Sequence, residues 1–223
     1  MAAFHPRFED LPTEFAVFPL TGALLLPRGK LPLNIFEKRY LAMIQDALGA
    51  GRMFGMIQPD PQGHTAQMGR EPGLYRVGCL GRLSSFSETD DGRLLITLTG
   101  LIRFSVGIEI EGRHGYRRIR GDFEPFAGDL ALARQPVDIE RDKLIIALRG
   151  YFARRNVEAN WDAIRSLSDD GLVTTLAMAC PFEPVEKQAL LEAPDDAERA
   201  ATLLALLQMG AASSDLSPDH SVS

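Results

Sequence analysis

The chain has 223 residues, 45% apolar and 24% charged, an ordinary globular composition that can bury a core without a disulfide or a metal. That length allows one large domain or two small ones and excludes a complete ATP-driven proteolytic machine. With 30 acidic against 24 basic residues the net charge is −6, which argues against general nucleic-acid binding.

Along the first half the pattern is mainly that of strands. Phe15 to Leu20 is a short apolar run stopped by Thr21 and Gly22. A helix follows. Phe36, Tyr40, Met43, Ile44 and Ala47 recur on one helical face, Asn34 with Glu37 three residues later has the form of a capping box, and Gly49 or Gly51 can end it. Residues 59–73 have no periodicity and are expected to be a loop. A long strand is expected over Tyr75–Ser87, with Gly78 and Gly81 marking a bend or bulge. Thr89-Asp90-Asp91-Gly92 is a hairpin signal. After it, Leu94, Ile96 and Leu98 alternate with Leu95, Thr97 and Thr99, apolar on both faces as in a central or barrel strand. Ile102, Phe104, Val106, Ile108 and Ile110 then alternate strictly with Arg103, Ser105, Gly107 and Glu109.

From Gln135 the period becomes helical. Asp138 can cap a helix that buries Leu144, Ile145, Leu148, Tyr151 and Phe152. Ser168-Asp169-Asp170 starts another with Leu172, Val173, Leu176 and Ala177 inward, its acids favoured by the helix dipole and Pro181 its stop. Pro184 opens a short helix through Leu191, and Pro194-Asp195-Asp196 a last one to about Met209. The strand-rich part spans 12–127, the helical part 136–210, and 211–223 is read as a disordered tail. The charge follows the same division: 15 basic and 14 acidic residues through Phe126, then 9 and 16.

Motifs of catalysis are missing. No GxxxxGK[ST], HExxH or GxSxG occurs, and Gly22…Gly29-Lys30-Leu31 has the wrong spacing for a phosphate loop. The four histidines are scattered and form no metal pattern, so neither a metal nor another cofactor is expected. Cys79 and Cys180, far apart and outside any CxxC, read as small core residues in a reducing cytoplasm. No signal-peptide h-region or membrane-length apolar run is present, so no membrane partner is expected.

Two features suggest surfaces. Arg113, Arg117, Arg118 and Arg120 surround Tyr116, and on a strand Tyr116, Arg118 and Arg120 would share one face. That face is a solvated outer sheet surface with Ile119 and Phe123 inward, a site for an anionic protein, or a site where Tyr116 stacks on RNA bases. In the last helix Leu203, Leu204, Leu206, Leu207 and Met209 cover more than one face. Either the helix is packed deep between others, or Leu203 and Leu207 belong to an exposed strip that meets a partner or a second copy.

Several segments, in order, resemble the Lon protease N-terminal domain: Phe18-Pro19-Leu20, Leu24-Leu25-Leu26-Pro27, Leu31-Pro32-Leu33-Asn34-Ile35-Phe36-Glu37 and Arg39-Tyr40. Leu74-Tyr75-Arg76-Val77-Gly78-Cys79-Leu80-Gly81, Gly92-Arg93 with Gly100-Leu101-Ile102-Arg103-Phe104, and Pro184 to Glu192 continue the likeness over about residues 12–210. The resemblance implies an α+β fold, a PUA-like β pseudo-barrel with an inserted helix followed by an α-helical bundle. It also implies a non-enzymatic module that binds unfolded or extended polypeptide segments or a partner protein, by strand addition at a sheet edge or in a cleft between barrel and bundle, with self-association as a further expectation. RNA binding through Arg113–Arg120 is the alternative that the PUA-like fold suggests. The matched residues Pro27, Pro32, Asn34, Glu37 and Tyr40 read as structural: the prolines fix chain direction, Asn34 and Glu37 cap, Tyr40 packs.

Overall fold

The computed structural model describes residues 6–61, 72–131 and 139–212, and shows strands first and helices second. A short 3₁₀ turn, Phe8–Asp10, leads into β1 (Glu14–Pro19), β2 (Lys30–Ile35), α1 (Lys38–Gly49) and β3 (Met53–Ile57). The segment expected to be a loop begins and ends in a two-residue pairing, β4 (Pro59–Asp60) with β5 (Gly73–Leu74); its middle lies outside the described residues. Then come β6 (Val77–Glu88), β7 (Leu94–Arg113) and β8 (Tyr116–Asp122).

β1 pairs with β3 in parallel and with β8 antiparallel, while β6 and β7 complete the circuit β1-β3-β6-β7-β8. β2 is added outside that circuit, on the first half of β7. The two strands read around Leu94–Leu98 and Ile102–Ile110 are one strand of 20 residues. Its first half lies between β2 and β6, and its second half pairs with β8. The register of β6 on β7 shifts at Leu80/Gly81, where the glycine signalled a bulge.

The barrel interior is filled by Phe15, Val17, Leu80, Ile102, Phe104, Ile119 and Phe123. Phe15 meets Phe104 edge-on at 5.0 Å between ring centroids and stacks on Phe123 at 5.6 Å. Gly78 gives the Phe104 ring its space: a Cβ there would sit 2.7 Å from Met56 O and overlap the ring.

A second core lies outside the barrel wall. Phe18, Leu24, Leu25 and Leu26 meet Tyr40, Met43 and Ile44 of α1, and the same cluster runs on into the helices. These are α2 (Arg141–Arg155), α3 (Trp161–Ser166), α4 (Asp169–Ala179), α5 (Pro184–Glu192) and α6 (Asp196–Ala212). α4 follows Ser168 and buries all four residues expected of it, Leu172, Val173, Leu176 and Ala177. α5 starts at Pro184, and Glu183 N–H donates to Glu186 Oε2 at 2.7 Å. α3 adds a helix to those expected from the sequence; Asn160 caps it by accepting from Ala163 N–H at 3.0 Å. α2 buries Leu144, Ala147, Leu148 and Tyr151, with Ile145 and Phe152 at its margin. The predicted cap Asp138 and the stretch 132–138 at the boundary of the two parts lie outside the described residues, as does the tail from 213. α6 continues through Ala212, beyond the expected end at Met209.

Two expectations are corrected. Asn34 does not cap α1. It is the fifth residue of β2, opposite Leu95, because the alternation of Leu31, Leu33 and Ile35 is satisfied by pairing with β7. The helix starts after Glu37, whose backbone occupies the cap position while its carboxylate pairs with Arg39 at 3.1 Å. Phe36, placed on the buried helical face, precedes the helix and is exposed beneath Arg93, 5.8 Å from its ring.

Candidate functional site

The barrel and bundle are fixed to each other by buried polar side chains. Arg103, halfway along β7, is only 4% exposed. It donates from Nε and Nη2 to Asp129 at 2.9 and 3.0 Å, and from Nη1 to the carbonyls of Leu191 and Ala193 at 3.2 and 2.6 Å. Asp129 sits in the 3₁₀ segment Glu124–Leu130 that leaves the barrel, so one guanidinium ties strand, connector and the end of α5 together. Gln58 does the same beyond β3. It accepts from Gly22 N–H at 3.0 Å and donates to Pro184 O at 2.9 Å and Gln188 Oε1 at 3.2 Å. Lys187 donates to Gly22 O at 2.8 Å, and burial holds its ammonium below the usual lysine value.

This rigid junction leaves an open groove of about 520 Å³ at one side. Pro27 to Pro32 form one wall; Asp170, Gly171, Thr174, Thr175, Met178 and Ala179 of α4 form the other. Met178 reaches across to Gly29, where any side chain would strike its thioether. Arg28, in the left-handed region at φ 67, donates to Ala131 O, and its backbone N–H reaches Gly100 O at 2.8 Å. Asp170 is kept below the usual carboxylate range, first by the Ser168 hydroxyl. β2 is an edge strand among the described residues, since it pairs with β7 alone. Pro32 and Lys30 project outward from it, as suits an edge. On the outer face of the same ribbon Leu95 and Phe36 are exposed.

The residues singled out from the sequence are not gathered at one place. Pro27 and Pro32 line the groove. Tyr40 is buried against Phe18, 4.2 Å between centroids. Tyr116 is 4% exposed and turns its hydroxyl onto Asp46 Oδ2 at 2.7 Å, so it offers no stacking surface beside Arg118 and Arg120. Tyr116 and Ile119, three residues apart, are both buried, so β8 does not keep the strict alternation on which that shared face depended. The arginines meet carboxylates of the same chain: Arg117 grips Glu109 through two bonds of 2.6 and 2.7 Å, Arg120 and Arg118 meet Glu14 at 2.6 and 3.6 Å, and Arg113 meets Asp46 at 3.3 Å. Leu203 and Leu207 are fully buried, so they form no exposed strip. α6 packs between α2 and the other helices, which covers the apolar side assigned to a partner. Cys79 and Cys180 are buried; burial pushes the Cys79 thiol up and the Cys180 thiol up to about 12, the reverse of an activated nucleophile.

Alternation groups Arg103 with Ser105, Gly107 and Glu109 and carries no sign that its guanidinium is buried on Asp129. The signal that could have found Arg103 was its place in the segment Gly100-Leu101-Ile102-Arg103-Phe104.

Comparison with known proteins agrees with this architecture. The family model described as the ATP-dependent protease La (LON) substrate-binding domain matches residues 14–209. Lon protease 2 of Myxococcus xanthus is 27% identical over 212 residues, covering 89% of this chain and 24% of that protein. Lon protease 1 of Thermus thermophilus is 26% identical over 203 residues, covering 89% and 25%. The chain thus spans about a quarter of the length of these relatives. Among solved structures, a Lon N-terminal domain protein from Xanthomonas campestris superposes with a TM-score of 0.56 at 22% identity, covering 87% of this chain and 98% of that one. The N-terminal domain of the Mycobacterium avium complex Lon protease gives 0.55 at 16%, covering 87% and 97%. Strands closed into a barrel, a helical part fixed on it and a family match over nearly all of both place the chain in the Lon substrate-binding domain family.

Proposed function

We propose that this protein is a binding module for unfolded or extended polypeptide and that it binds without turnover. The observation that carries the reading is the groove between β2 and α4. It has the volume of a small ligand site, lies at the junction of two substructures and is bordered by an adaptable methionine, Met178. The description of the matched family as a substrate-binding domain supports the same reading. Against RNA stands the pairing of Arg113, Arg117, Arg118 and Arg120 with carboxylates of the same chain, which leaves little positive field for phosphates.

Fluorescence anisotropy with labelled, reduced and carboxymethylated α-lactalbumin tests it, with native α-lactalbumin and a single-stranded RNA as controls. The unfolded protein should bind, with little response to added salt, and the native one should not. Equal binding of native and unfolded forms would refute the proposal. So would tighter, steeply salt-dependent binding of the RNA.

A further inference from the structure

The open edge of β2 is selective, and its pattern follows from one hydrogen bond. Gly29 turns its carbonyl to Gly100 N–H at 2.9 Å. Backbone groups alternate sides along a strand, so residues 31, 33 and 35 face β7, while Lys30, Pro32 and Asn34 turn theirs to the open edge. Lys30 and Asn34 each present an N–H and a C=O there; Pro32 has only a C=O. That proline and the exposed Lys30 side chain are devices that stop a sheet edge from pairing along its whole length. Of the edge-facing residues Lys30 and Pro32 line the groove, and Asn34 lies two residues beyond its lining, so the pairable positions are one inside the groove and one just past it.

Resting on the proposal that the module binds extended polypeptide, we infer that the chain it takes enters this groove as an added β-strand that runs on past Pro32 along the edge of β2, hydrogen-bonded to the backbone of Lys30 in the groove and of Asn34 just beyond it, with an acidic side chain facing Lys30. The far wall argues for one strand of a foreign chain. α4 lies across the groove from β2, so a second copy offering its own β2 edge would have to bring its own α4 into the same space. The charge argues for the acidic residue. Arg28 is engaged by Ala131 O, whereas Lys30 has no ion pair among the described residues and its side chain is exposed on the outer face. In an added strand the inward side chains would lie beside Leu31, Leu33 and Met178, all half-buried, which favours apolar residues at alternate positions.

The probe is a fluorescein-labelled peptide of about eight residues in which Val alternates with Thr and one central Thr is replaced by Glu. N-methylation of one alternate set of its amides should abolish binding, and N-methylation of the other set should leave it. Asn34→Pro, which removes an edge N–H at a position where an edge strand accepts proline, should weaken binding about three- to tenfold. Thr175→Trp fills the exposed side of the groove and should have a larger effect without altering the melt. Lys30→Glu should weaken the Glu peptide about two- to fivefold and favour a Lys peptide instead. Equal binding of both N-methylated peptides would overturn strand addition. So would unchanged affinity in both Asn34→Pro and Thr175→Trp when their melts show them folded. A dimer dissolved by Asn34→Pro would make a second copy the occupant and likewise overturn it. If the groove variants still capture carboxymethylated α-lactalbumin at full affinity, this inference fails while the polypeptide-binding proposal stands.

Discussion

Replacing Arg103 with Met keeps a long apolar stem in β7 and removes the guanidinium. Asp129 then loses its bonds of 2.9 and 3.0 Å, and the carbonyls of Leu191, Ala193 and Pro194 lose donors at 3.2, 2.6 and 3.3 Å. Both ion-pair side chains are less than a tenth exposed, so water cannot take the place of the missing partner without opening the junction. Breaking a buried pair of this kind costs about 3–5 kcal/mol. Asp129→Leu should cost a similar amount, because it strands the guanidinium charge. The double variant Arg103→Met/Asp129→Leu removes both charges together and should be more stable than the two single losses predict, by about 1–3 kcal/mol. Recovery should be incomplete, since the carbonyls of Leu191 and Pro194 lose that donor and Ala193 O keeps the longer bond from Arg199 Nη2 at 3.4 Å. Urea unfolding read by Trp161 fluorescence and by far-ultraviolet ellipticity measures this. Trp161 is the one tryptophan of the chain and packs in the bundle on Phe152 and Arg149, so it reports the helices while the ellipticity reports the whole. Single-variant costs that add to within about 0.5 kcal/mol would refute the coupling, and an Arg103→Met variant as stable as the parent would refute the role of the junction.

Other outcomes follow from the same structure. Leu203→Gln/Leu207→Gln should collapse the melt by several kcal/mol with no change in light scattering before unfolding, because both side chains are core. Asn34→Ala should alter stability by less than about 0.5 kcal/mol, since its side chain caps nothing; a loss of ~1 kcal/mol in urea unfolding would restore it as a cap. Tyr116→Phe should cost ~1 kcal/mol at neutral pH. The hydroxyl of Tyr116, and behind it Arg113 and His114, holds Asp46 below the usual carboxylate range. A carboxyl depressed by folding contributes stability above its unfolded value and loses it as pH falls through its folded value. The difference between Tyr116→Phe and the parent should therefore shrink in acid, and a difference independent of pH would contradict the assignment.

The elements were legible where local chemistry decides them. Ser168 and Pro181 bracket α4, Pro184 opens α5, and the Thr89–Arg93 turn joins β6 to β7 through bonds of 3.0 and 2.9 Å. What local chemistry could not give was which face of an element would be covered. Alternation groups Ile108 with the buried Ile102 and Phe104 and sets Arg103 on the opposite side of the strand, yet Ile108 is 51% exposed and Arg103 is buried. The second half of β7 runs on into the hairpin with β8, away from the barrel core, while the connector brings Asp129 onto Arg103 from 26 residues away. Leu203 and Leu207 posed the same problem on a helix. Their excess of apolar surface is absorbed by neighbours on more than one side, which the period of a single helix does not reveal. The groove was legible only as a place, the cleft between two parts. Its edge depends on β2 having one partner among the described residues, a property of topology rather than of residues 30–35 themselves.

The closure of the barrel has a consequence for synthesis. β1 is pinned between β3 and β8, and Glu14 finds its partner at Arg120. On a ribosome adding 5–20 residues per second, the first strand must wait roughly 5–20 s for the last one to be made. Through that interval Phe15 and Val17, destined for the interior, have no finished wall around them. Contacts of such long range are slow to form even in the released chain, because loop entropy is lost before they can compensate. Until β8 has been made, β1 has β3 as a partner but lacks the strand that closes the barrel on its other side.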